Sequence, residues 1–78
     1  MAEHTVRSYD QELKMLAGKI AEMGGLAEGL VADSVTALVR MDTALAQKVI
    51  LTDVRLDRLQ REVEEKAILI IAKRQPMA

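Results

Sequence analysis

The sequence predicts an all-α protein, an antiparallel hairpin of two long helices, and three observations carry that prediction. Apolar residues recur at spacings of three and four along both halves of the chain, which is the helical period. Asp42 interrupts the pattern with a residue suited to capping a new helix. Pro76 then ends the second half abruptly, because proline disfavours helical geometry in the residue before it.

The first helix is expected over about 5–41. Its stripe comprises Val6, Tyr9, Leu13, Leu16, Ile20, Met23, Ala27 and Leu30, then Ala37 and Met41, with Val31, Val35 and Leu38 widening it. Ser8 through Gln11 fits a capping box, and Asp10 and Glu12 suit the positive end of the helix dipole. Gly18, Gly24, Gly25 and Gly29 lie inside this pattern, each costing up to ~1 kcal/mol relative to alanine. They mark either a break at Gly24-Gly25 or a continuous helix that admits a close neighbour. The stripe keeps its phase across the pair, which favours continuity.

The second helix is expected over about 43–73, with Leu45, Val49, Thr52, Leu56, Leu59, Val63, Ala67 and Ile70 on one stripe. Arg58, Glu62 and Lys66 fall at i, i+4 spacing and predict a charge ladder along its surface. A connection of one or two residues leaves the helices only one way to meet, folded back antiparallel. Residues 74–78 read as the start of a connection to a third helix that the chain lacks.

Composition narrows the function classes. At 78 residues the chain is one small domain, and such domains bury only ~60–65% of their unfolded surface. There is no cysteine, so neither disulfides nor thiolate metal sites support it. Tyr9 is the one aromatic residue, which leaves Leu, Ile, Val, Met and Ala to build the core. Net charge is −1, with lysine and arginine interleaved among acids, and this argues against nucleic acid. The longest apolar run, Ala67 to Ala72, is far short of the ~20 residues that span a bilayer. With no signal pattern at the N-terminus, a cytoplasmic location is expected.

Two features point outward from the hairpin. Ile50, Val54, Ile68, Leu69 and Ile71 lie off the second helix's stripe and form a surplus apolar surface. Two helices cannot wall in both faces, so a third helix or another copy of the chain is expected to cover it. Asp53 and Asp57 sit one turn apart on the same face, where two like charges are mildly unfavourable and a shared hard cation would reverse that. The competing reading is a solvated face, with Asp57 paired to Arg61 at i+4. His4 is the only histidine and lies near the terminus, and no serine or threonine has a base beside it, so catalysis has no support.

The chain resembles the PhoU family of phosphate-signalling regulators along essentially its whole length. The resemblance rests on Glu12-Leu13 with Leu16, on Met23-Gly24, and on the block from Met41-Asp42 through Leu45-Ala46 and Val49-Ile50 to Asp53 and Asp57. It continues through Glu64-Glu65-Lys66-Ala67 to Ile70-Ile71-Ala72-Lys73-Arg74-Gln75-Pro76, the most specific piece. It implies the first two helices of a three-helix bundle, completed here by oligomerisation. It implies a negative regulator of phosphate uptake and phosphate-starvation signalling, linking a sensor histidine kinase to a phosphate transporter ATPase, and no enzyme. Asp53 and Asp57 match the family's acidic metal motif. A divalent or iron ion is therefore expected there, held weakly because the partner motif belongs to the missing helix. The alternative is a helical-hairpin module that only oligomerises.

Overall fold

The computed structural model describes residues 2–74 and consists of two helices, α1 (Ala2–Arg40) and α2 (Thr43–Arg74), packed as an antiparallel hairpin about 58 Å long. The fold class expected from the sequence is the one observed. The expected connection beyond Arg74 falls on 75–78, outside the described residues. Glycine does not break α1: the helix runs straight through Gly24-Gly25. A Cβ added at any of the four glycines would meet nothing in α2, so the hairpin itself does not require them.

The turn is built from two residues, and backbone hydrogen bonds explain why two suffice. Met41 adopts left-handed geometry at φ 53°. Its N–H donates to the Leu38 carbonyl at 3.3 Å, and the Asp42 N–H donates to Ala37 at 2.9 Å, which closes α1 in a Schellman motif. Asp42 at once opens α2: its carbonyl accepts from the Ala46 N–H, and its Oδ1 accepts from the Leu45 N–H at 3.0 Å. The capping role expected for Asp42 is realised. Ser8 caps nothing, because α1 begins upstream at Ala2 and Ser8 lies within the helix.

The seam between the helices follows a heptad on each. On α2 it carries Leu45, Val49, Thr52, Leu56, Leu59, Val63 and Ile70 as expected, with Lys66 beside Ala67. On α1 it carries Tyr9, Glu12, Leu16, Lys19, Met23, Leu26, Leu30, Asp33 and Ala37. Tyr9, Leu16, Met23, Leu30 and Ala37 are as expected, and the other seam positions correct the expected stripe. Val6, Leu13 and Ile20 are exposed, each one position along from a seam residue or its heptad equivalent. The reason is that α1 has two adjacent rows, and α2 packs on the one containing Glu12 and Lys19, whose charges it can answer. Lys19 Nζ meets Glu62 at 3.2 Å, and Arg55 meets Glu22 at 3.3 Å. Glu62 thus pairs across the seam, not within the expected Arg58–Glu62–Lys66 ladder.

Among the described residues only Ala37, Leu59 and Ile70 are nearly enclosed, at 7%, 8% and 5% exposure. Two helices shield each other along one line, and every other apolar face stays wet.

Candidate interaction surface

The open end of the hairpin is held by polar groups. Glu12 accepts from Lys73 Nζ at 2.9 Å and lies 3.7 Å from the Arg74 guanidinium, which stacks 5.0 Å from the centre of the Tyr9 ring. The hydrogen bond from Lys73 pulls the Glu12 carboxyl below its ordinary value of 4.5. Desolvation opposes this, and the charges of Lys73, Arg74 and Lys66 reinforce it. Glu12 Oε2 and Arg74 Nε are both shielded from solvent without a hydrogen-bond partner. Sequence reading missed Glu12 as a seam residue. The signal was its heptad spacing to Lys19 and Leu26.

The two flanks of the seam differ in kind. One is crossed by the Lys19–Glu62 and Glu22–Arg55 pairs. On the other, the helical repeat aligns Leu13, Ile20, Val31, Leu38 and Met41 of α1 beside Ala46 and Ile50 of α2. Near the turn these form an open apolar groove of about 390 Å³ between Leu38, Met41, Ala46, Val49 and Ile50.

The residues singled out on α2 all face solvent: Ile50, Val54, Ile68, Leu69 and Ile71 are between 51% and 65% exposed. Leu51 joins them. Asp53 and Asp57 lie on the same outward side, both exposed. Asp57 and Arg61 border a shallow depression with Gln60, yet no ion pair joins them, and neither has an ionic partner among the described residues. Among the described residues no group of three or more metal-ligating side chains forms. Two exposed carboxylates do not fill the coordination shell of a hard cation, so a cation there would need further ligands from elsewhere. Among the described residues no helix is long and apolar enough to cross a membrane.

The structure is thus a two-helix hairpin that leaves many large apolar residues of both helices exposed. The comparisons with known proteins place it further. The PhoU domain profile matches residues 20–78, and the chain belongs to the PhoU family. It is 61% identical over 75 residues to the phosphate-specific transport system accessory protein PhoU homolog of Rhizobium meliloti (strain 1021), covering 96% of this chain and 32% of that protein. It is 54% identical over 78 residues to the homolog of the same name from Caulobacter vibrioides, covering 100% of this chain and 34% of that one. The homolog from Pseudomonas aeruginosa is 35% identical over the same span, 32% of its own length. The chain therefore spans about a third of the length of these curated relatives. No solved structure matches it.

Proposed function

We propose that the chain is a phosphate-transport accessory element that acts as a negative regulator of phosphate uptake and phosphate-starvation signalling, without catalysis, in the cytoplasm. The observation that carries this reading is the uncovered apolar exterior of α2 on a member of a family whose curated relatives are named accessory proteins of phosphate-specific transport. Ile50, Val54, Ile68, Leu69 and Ile71 offer area for helix-face contact, and apolar area is what such contacts bury. The partners the family resemblance suggests are a sensor histidine kinase and the transporter's ATPase. Asp53 and Asp57 would contribute two carboxylates toward a divalent or ferric ion, with the remaining ligands supplied from outside this hairpin.

A chimera tests the role. The hairpin replaces the matching third of the Rhizobium meliloti relative, in a host lacking its own copy, and a phosphate-starvation reporter is read in high phosphate. Repression is expected to return, and to be lost again with Ile68→Lys and Ile71→Lys. A chimera present at normal abundance that leaves the reporter fully derepressed would overturn the reading.

A further inference from the structure

The outward face of α2 carries a second heptad row, independent of the seam. Ile50, Val54, Asp57, Arg61, Glu64, Ile68 and Ile71 follow one another at alternating spacings of four and three. That is the spacing of a coiled-coil stripe. All of these residues are exposed, and the row points nearly opposite to α1. It is apolar at both ends, Ile50 and Val54 at one and Ile68 and Ile71 at the other, with Asp57, Arg61 and Glu64 between them.

We propose that this row is a self-complementary docking surface for a second copy of the chain, with the two α2 helices running antiparallel and centred on Leu59. In that register Ile50 meets the partner's Ile68, and Asp57 meets the partner's Arg61, each pair occurring twice by symmetry. Val54 lies against the methylene stem of the partner's Glu64, whose carboxylate is turned along its own helix by a 3.1 Å bond from Gln60. Leu59 sits at the middle of Thr43–Arg74, so the helices overlap along nearly their whole length. Sliding one helix by a heptad sets Asp57 against the partner's Ile68 and shortens the overlap. A parallel arrangement sets Asp57 against the partner's Asp57. Of these arrangements, the register centred on Leu59 pairs Asp57 with Arg61 while burying isoleucine on isoleucine.

The size of the contact sets its strength. A helix ~48 Å long and ~10 Å wide buries on the order of 1,000 Å² in total, at the weak end of specific interfaces. Association is accordingly concentration-dependent and in the micromolar range or weaker. The surface does not depend on the regulatory role proposed above, and the following test reads it without any phosphate-signalling component.

The mass of the 78-residue chain is measured by sedimentation equilibrium from low micromolar to near-millimolar concentration, in chelator, with helicity followed by circular dichroism. The wild type is expected to dimerise. Asp57→Arg presents two bases and Arg61→Asp two acids, so each variant alone is expected to dimerise at least tenfold more weakly. Mixed one to one, they are expected to recover wild-type association as a heterodimer, identified by native mass spectrometry. Recovery also shows that both variants are folded. A wild type that stays monomeric overturns the proposal, as does one that dimerises only when a metal is added. So do variants that associate as the wild type does, or a mixture no stronger than its components.

Discussion

α2 carries two heptad rows, and only one of them is packed within the chain. On the inner row Ile70 is 5% exposed, while on the outer row Ile68, two residues away, is 65% exposed. Composition separates them in part, since the outer row carries Asp57, Arg61 and Glu64 at its middle where the inner row stays apolar. α1 packs on the inner row, and its Glu12, Lys19 and Glu22 pair with Lys73, Glu62 and Arg55. Each exposed pair is worth ~1 kcal/mol or less, so the apolar contacts supply most of the stability. The outer row stays exposed.

Breaking the inner row should have the largest effect. Leu59→Ala is expected to destabilise the hairpin by about 2–4 kcal/mol, enough to unfold much of a chain this small. Val54→Ala on the outer row is expected to change it by no more than about 0.5 kcal/mol. Urea titration by circular dichroism in dilute solution checks both.

The turn decides which faces meet, so its substitutions come next. Asp42→Ala removes the cap on the Leu45 amide and is expected to lower stability by about 1 kcal/mol. Met41→Gly relieves a left-handed side chain and is expected to raise it by about the same amount. Thermal melts that move in opposite directions confirm the pair.

A narrower, pH-dependent effect belongs to Glu12. Its carboxyl is held below 4.5 by Lys73, so folding favours the charged form. The stabilisation is present at neutral pH and is lost as pH falls through the lowered value. Glu12→Gln is expected to melt below the wild type at neutral pH, with the gap closing below pH 4.5. A constant gap across that range would show that the contact is not electrostatic.

The smallest effect is expected on the outer face. Asp53→Asn with Asp57→Asn removes one i, i+4 repulsion and is expected to stabilise α2 by about 0.2–0.5 kcal/mol. Calorimetry with manganese on both forms tests the metal proposal separately. Weak uptake by the wild type that vanishes in the double variant supports it, and equal uptake by both ends it.

Most of α2 was legible in the sequence because its inner row is apolar almost throughout, so periodicity alone locates it. Asp42 was legible because a capping residue acts locally. The α1 seam was legible in part: Tyr9, Leu16, Met23, Leu30 and Ala37 of the expected stripe lie on it. Its alternate positions hold Glu12, Lys19 and Asp33, beside the apolar Val6, Leu13 and Ile20, so a count of apolar residues selects the wrong residues there. The cross-helix register that reverses this depends on pairing two distant segments, which one helix's period does not contain. Met41 was equally hidden, since methionine has no preference for the left-handed geometry that the turn imposes. Asp53 and Asp57 were found as a pair, but the ligands a cation would also need are absent from the described residues around them.

The division of α2 into a packed face and an exposed face is tested most directly by placing the same charge on each. Ile70→Asp and Ile68→Asp are compared by circular dichroism melts in dilute solution. The account predicts that Ile70→Asp abolishes the cooperative melt, because an unpaired carboxylate would be buried in the seam, while Ile68→Asp melts within a few degrees of the wild type. Equal loss in both variants, or tolerance of both, would contradict it.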